Sequence, residues 1–248
     1  MNIKKILVSQ PSPTTEKSPY FDIAEKYGVE VVFRPFIKVE GLSSKEFRQQ
    51  RINFQEYTAV VFTARTAIDN FFRLAAENRF TVPDTMKYFC GTESIALYLQ
   101  KYIVYRKRKI FFGQSGKLDD LPNYLNKHNK EKFLLPLPEV HNDDVIKVLT
   151  KHKINYKPAI MYRTVSNDFT KEEVFDYDVL LFFSPIGVSS LFKNFPEFKQ
   201  EQIVVGGFGT TTNKAIVDSG LRLDIEAPRP DAPSMTAALD KFLKEHIK

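Results

Sequence analysis

Tyr57-Thr-Ala-Val-Val-Phe-Thr-Ala64 returns 120 positions later as Tyr177-Asp-Val-Leu-Leu-Phe-Phe-Ser184. The apolar residues behind it return as well: Ile68, Phe71 and Phe72 land on Val188, Leu191 and Phe192. A second pair follows at an offset of 118, where Cys90-Gly-Thr-Glu-Ser94 is matched by Phe208-Gly-Thr-Thr-Thr212. A short apolar run signals a buried strand, and apolar residues three and four apart signal a helix. Two motifs in the same order at nearly one offset make an internal repeat. The repeat predicts two similar α/β domains. Each holds a strand, a Ser/Thr turn and a helix, followed by a strand, a Gly-Thr turn and a helix.

Outward from the repeat, strand-like runs alternate with helical patterns. Strands are expected at Lys5–Val8, Val29–Phe36, Thr58–Thr63, Tyr88–Cys90, Tyr102–Tyr105, Lys109–Phe112 and Lys132–Leu135. Further extended runs are Tyr156–Tyr162, Val179–Phe183, Gln202–Val205 and Leu221–Ile225. Helices are expected at Thr14–Tyr27 (stopped by Gly28), after Thr63 to about Asn78, and at Glu93–Lys101, Leu118–Lys127 and Asp143–His152. The last three are Gly187–Asn194, Thr211–Ser219 and Ser234–Glu245. This alternation implies α/β layers around mostly parallel sheets.

The 248 residues suffice for two domains with real cores. Hydrophobic residues at 43% and charged residues at 27% exclude a disordered chain. A single cysteine, Cys90, excludes an intrachain disulfide and a cysteine-based zinc cluster. No apolar run is long enough to span a bilayer, and the opening residues lack a signal-peptide core, so a reducing cytoplasm is expected. The balance of 36 basic against 30 acidic residues gives +6, which favours an anionic partner.

The repeated turns carry the chemistry. A Ser or Thr between strand and helix is a good N-cap. The same place offers unpaired backbone N–H groups at the positive end of the helix dipole, and such ends bind carboxylates and phosphates. In open α/β sheets, ligands sit beyond the carboxyl ends of the strands.

The chain resembles the uroporphyrinogen-III synthase family over essentially its whole length. The residues that carry the likeness are Ile6-Leu-Val-Ser-Gln-Pro11, Val61-Phe-Thr63, Cys90-Gly-Thr-Glu-Ser94, Ile160-Met-Tyr-Arg-Thr164, Phe183-Ser-Pro-Ile-Gly187 and Gly209-Thr-Thr-Thr212. The resemblance implies two three-layer α/β domains joined by a two-stranded extended linker, the first domain being discontinuous. Domain 1 would comprise residues 1–36 and 168–248, domain 2 residues 42–158, and the linkers residues 37–41 and 159–167. It also implies the reaction: a lyase closing linear hydroxymethylbilane into uroporphyrinogen III, with loss of water and inversion of the last pyrrole ring, in haem biosynthesis. No cofactor or metal is implied, and the substrate is a polycarboxylate, which suits a basic protein. Tyr162 maps onto the family's tyrosine, a candidate proton donor to the departing hydroxyl. A phenol of pKa ~10 stays protonated at neutral pH. Thr63, Ser94, Ser184, Gly187, Thr211 and Thr212 map onto the family's substrate-contacting turns, where plain helix capping is the competing role, and Arg65, directly after Ala64, is the candidate to supply charge in place of the lost hydroxyl. Two positions depart from the family pattern: Gln10 stands in place of a frequent Arg, and Ala64 in place of a hydroxyl residue. They keep open a non-catalytic two-domain protein that binds an anionic small molecule.

Other signals have simpler readings. The run Arg106-Lys-Arg-Lys109 is expected to be a solvated hairpin rather than a nucleic-acid patch. His141-Asn-Asp-Asp144 reads as a loop entering a helix rather than a metal site. Gly206-Gly-Phe-Gly209 lacks the dinucleotide fingerprint, and Cys90 reads as a small core residue. Neither a nucleic-acid nor a membrane partner is expected, and no oligomer seam is visible, so a monomer is the default.

Overall fold

The computed structural model describes residues 2–15, 17–113, 120–170 and 175–246. The chain divides into two compact units, residues 1–38 with 165–248 and residues 39–164.

The first unit is built on β1 (Lys5–Val8), α1 (Pro19–Tyr27) and β2 (Glu30–Phe33). Its other strands come late in the chain. The second unit intervenes with β3 (Ile37–Gly41), α2 (Ser44–Gln49), β4 (Ala59–Phe62), α3 (Arg65–Glu77), β5 (Lys87–Cys90) and α4 (Glu93–Tyr98). It continues with β6 (Ile110–Phe112), α5 (Leu121–Lys127), β7 (Phe133–Pro138), α6 (Asp144–Lys151) and β8 (Tyr156–Ser166). The first unit then closes with β9 (Val179–Phe182), α7 (Pro185–Asn194), β10 (Val204–Phe208), α8 (Thr210–Asp218), β11 (Ile225–Ala227) and α9 (Met235–His246). The stretches 37–41 and 159–167 fall on β3 and on the last two-thirds of β8 with the residue after it.

In the first unit the sheet order is β11-β10-β9-β1-β2, every pairing parallel. Parallel crossovers are right-handed, so reversing the direction of travel across the sheet moves the helices to the other face. Residues of α1 and α9 accordingly share one core with one side of the sheet, including Ile6, Ile23, Leu239 and Leu243. Residues of α7 and α8 share the other, with Leu7, Leu180, Val188, Leu191 and Ile216. The second unit orders its strands β3-β8-β7-β4-β5-β6. One face packs α2, α3 and α4 through Phe47, Ile68, Phe71 and Ala96, and the other packs α5 and α6 through Leu125 and Leu149. Both units are therefore three-layer α/β sandwiches with mostly parallel sheets, as the alternation predicted. The two repeated strands, β4 and β9, are buried along their whole length, which explains why they carry no polar residue.

Several boundaries differ from the sequence reading. The first helix begins at Pro19, not Thr14, because Ser18 before the proline is extended (φ −115°, ψ 134°). It ends where expected, at Gly28 with φ 62°. Residues 102–105 form no strand, and β6 runs parallel to β5, so the basic run is a turn entering β6 and not a hairpin. Strand β10 extends through Gly206 and Gly207 to Phe208, beyond its expected end at Val205. A β-carbon on Gly206 would lie 2.7 Å from Leu181 Cδ2, and one on Gly207 would collide with Asn213 Oδ1. These glycines serve close packing within the layer. Helix α2 is absent from the sequence reading altogether. Its six residues are too few for a periodic signal, though Ser43 and Glu46 form a complete capping box.

Candidate active site

A doubly wound sheet reverses its winding at one point, and there the loops after two adjacent strands diverge and leave a crevice. In the first unit that point lies between β1 and β9, in the second between β4 and β7. The repeated strand stands beside the switch point in each unit. Its following turn, Thr63–Arg65 or Ser184–Gly187, is thereby placed where a ligand would sit.

The helix starts at these turns are not alike. Ser184 is extended (φ −156°, ψ 151°), and its Oγ accepts the Gly187 N–H at 3.1 Å, capping α7. Gly187 is buried. A β-carbon there would meet Ser184 Oγ at 3.3 Å and Ser9 Oγ at 4.0 Å. In the second unit Ala64 occupies the capping position of α3 and supplies no side-chain bond. Thr63 is half-buried, with no hydrogen-bond partner for its hydroxyl among the described residues. Arg65 is exposed, its guanidinium 5.4 Å from the centre of the Tyr98 ring. The free N–H groups of α3 and the Arg65 charge thus lie together at the end of a strand.

The second turns also diverge. Helix α8 starts at Thr210, one residue earlier than expected, with Gly209 (φ 91°) before it and no side-chain cap. Thr211 is exposed and Thr212 is 2% exposed, and neither hydroxyl bonds to a described residue. Capping is therefore not what these threonines do. Ser94 does not cap α4; Thr92 does, accepting the Ile95 N–H at 3.3 Å. Ser94 is exposed and touches only the Thr92 hydroxyl, at 3.2 Å. Gln10, just after β1, is exposed, and its neighbour Ser9 is buried at the first unit's switch point. Sequence reasoning passed over Ser9, although it directly follows the first strand.

Tyr162 lies in β8, 7% exposed, and burial raises its phenol pKa above the ordinary value. Its hydroxyl has no partner among the described residues, yet it is not among the polar atoms sealed from solvent. The register between β7 and β8 shifts here: Leu137 pairs with Ile160 and Pro138 with Tyr162, leaving Met161 as an extra residue. In a regular strand Tyr162 would share a face with Ile160. Instead it joins Ala159 and Met161 in the core beneath α3, while Ile160 packs toward α5 and α6. A bulge of this kind re-aims a side chain.

The backbone around Tyr162 is held on all sides. Leu42 N–H donates to Met161 O at 2.9 Å, and Glu139 N–H to Tyr162 O at 2.8 Å. Gln50 bonds both backbone groups of Ile160, donating to its O at 2.7 Å and accepting its N–H at 2.9 Å. Arg163 pairs with Glu40 and Glu46, each at 2.8 Å. The Glu46 pKa is pulled down to about 2, chiefly by the hydrogen bonds from Ser43 and then by Arg163.

The remaining sequence candidates have structural roles. Cys90 is fully buried in the core, and burial pushes its thiol up to about 12. His141 Nδ1 lies 2.9 Å from Pro138 O, in the loop before α6. Among the described residues no cluster of three metal-binding side chains forms, and no helix is long and apolar enough to cross a membrane.

Two doubly wound units, each with a helix N-terminus beside its switch point, define the class of two-unit α/β proteins with parallel sheets. The family model HEM4, described as uroporphyrinogen-III synthase HemD, matches residues 19–237. The chain belongs to the uroporphyrinogen-III synthase family, cyclising lyases of haem biosynthesis. Among solved structures, the uroporphyrinogen-III synthetase from Helicobacter pylori 26695 is similar, with TM-score 0.58 and 15% identity. That match covers 98% of this chain and 100% of the other, and bears on the fold. Uroporphyrinogen III synthase from Thermus thermophilus matches at 17% identity and TM-score 0.41, covering 97% and 98% of the two chains. No curated protein sequence matches the chain. Nothing in these findings favours the non-catalytic binding protein.

Proposed function

We propose that the chain performs its family's reaction with Tyr162 as proton donor and the strand-end turns as carboxylate holders. Hydroxymethylbilane loses its hydroxyl as water. The substituted carbon of the last ring attacks, and the ring is inverted before the macrocycle closes. Left free, the linear substrate closes without inversion, so the protein's work is orientation. Ser184, Gly187, Thr211 and Thr212 serve this in the first unit, and Thr63, Arg65 and Ser94 in the second. Uncapped N–H groups at α3 and α8 are suited to carboxylates. A neutral phenol can hand its proton to the departing hydroxyl.

The observation that carries this reading is the placement of the repeated strand beside the switch point in both units of a chain of this family. The enzyme is read as a cytoplasmic monomer that needs no cofactor, nucleic acid or membrane; its one cysteine, buried, suits a reducing compartment. The test supplies hydroxymethylbilane and separates the products. The type III isomer is expected, and type I alone would overturn the proposal.

A further inference from the structure

Unit 2 holds a cavity of about 250 Å³ that the proposed reaction does not use. It is lined by Met86, Tyr88, Tyr102, Ile103, Arg106 and Lys109 among others. Tyr88 is the second residue of β5, and Lys109 immediately precedes β6. The cavity thus lies at the amino ends of these strands, opposite the turn that starts at Gly91.

Tyr88 is 3% exposed, and its hydroxyl bonds to no described residue, yet it is not among the polar atoms sealed from solvent. Burying a hydroxyl without a partner is costly. Burial and the Asp84 charge raise its pKa, so the phenol keeps its proton and remains a donor. Tyr102 forms a flat wall, its ring stacked 4.5 Å from that of Phe72. The basic run supplies the charge. A turn bond from Lys109 N–H to Arg106 O brings its two ends together, half-buried, while Lys107 and Arg108 stay exposed. Arg106 pairs with Asp84 at 3.3 Å, whereas Lys109 has no ionic partner among the described residues. Asp84, Arg106 and Lys109 together leave one positive charge at the mouth.

We infer that this cavity is a second binding site, taking a small monocarboxylate with a flat apolar body. The carboxylate accepts from Tyr88 and Lys109, and the body lies against Tyr102 and Ile103. One net positive charge matches one carboxylate.

Benzoate is a suitable probe, titrated into the full chain and followed by calorimetry and by the tyrosine ring signals in NMR. One saturable site is expected at about millimolar affinity or better. Tyr88→Phe keeps the ring and should weaken benzoate about tenfold or more, the worth of a hydrogen bond to a charged acceptor. Lys109→Met should weaken it comparably, and neutral benzamide should bind far less well. Thr211→Ala should leave the affinity unchanged. Absence of saturation by tens of millimolar benzoate would overturn the site, as would unchanged affinity in a natively folded Tyr88→Phe variant. Loss of affinity in Thr211→Ala would move the ligand to the strand-end turns and also overturn it. Inorganic phosphate competing as well as benzoate would overturn the assignment to a carboxylate.

Discussion

Tyr162 gains its orientation from one extra residue. Without Met161 in the β7–β8 register it would follow Ile160 to the other face of the sheet. The phenol is buried up to its hydroxyl, so Tyr162→Phe should leave packing and melting temperature nearly unchanged. Activity should fall by about tenfold, below the usual range for acid–base assistance because the leaving hydroxyl is labile. The product should remain type III. Wild-type turnover by the variant would remove the phenol from the chemistry, and a switch to type I would make it a positioning group. The hydroxyls on the helix starts separate in the same way. Ser184→Ala removes a real cap and should cost about 1 kcal/mol in chemical denaturation. Thr211→Ala removes no bond and should leave stability unchanged while raising KM. If Thr211→Ala lowers stability as much as Ser184→Ala, the threonine is structural after all.

Helix α2 shows how an element too short to stand alone is fixed. Its capping box shares Glu46 with Arg163, and Gln50 just beyond its end takes the place of a missing strand partner beside Ile160. The helix thereby steadies the strand that carries Tyr162. Its charge has a pH consequence. Glu46 binds a proton less readily in the folded chain, near 2, than in the unfolded chain, near 4.5. The stability it lends is complete above about 4.5 and is lost as the pH falls toward 2. Glu46→Gln keeps a capping-box side chain but loses the charge. Melting temperatures of the two proteins should differ at neutral pH and converge as the pH falls toward 2. Parallel curves across that range would show that the carboxylate charge is immaterial. In α8, by contrast, the neighbouring strand sets the limit. Gly207→Ala would press against Asn213 and Ile216 and should cost roughly 1–3 kcal/mol by overpacking.

The two units are circular permutants of one arrangement. Strands β9, β10 and β11 of the first unit correspond to β4, β5 and β6 of the second, and α7 and α8 to α3 and α4. The first unit's remaining strand pair, β1 and β2, precedes this block in the chain, whereas the second unit's β7 and β8 follow it. This is why the sequence repeat covers only the shared block and fades beyond it. The second unit is contiguous and has complete cores on both faces of its sheet. A fragment of residues 37–166, which keeps β3 and β8 whole, should fold alone and melt cooperatively. A fragment with no cooperative transition by circular dichroism would show that its cores depend on the rest of the chain.

Local chemistry was enough to reveal the buried strands, the long helices and the repeated turns. Apolar runs and helical periodicity act over a few residues, and the repeat wrote them twice. The family resemblance points to Tyr162, Ser184 and the threonines after β10, because the motifs that carry it are linear features. It could not separate a cap from a free hydroxyl. That distinction rests on one residue of helix start, as Gly209 and Thr92 show. The sequence pattern also leaves α2 unmarked, ends the strand before Gly206 at Val205, and reads Arg106–Lys109 as a hairpin. Each of these depends on a neighbour distant in sequence: Arg163 for α2, Leu181 and Ile225 for Gly206 in β10, and the parallel partner β5 for the basic run. The bulge at Met161 belongs to the same class. A strand's residues alternate by themselves, but only its pairing with β7 decides where the alternation slips, and so which way Tyr162 points.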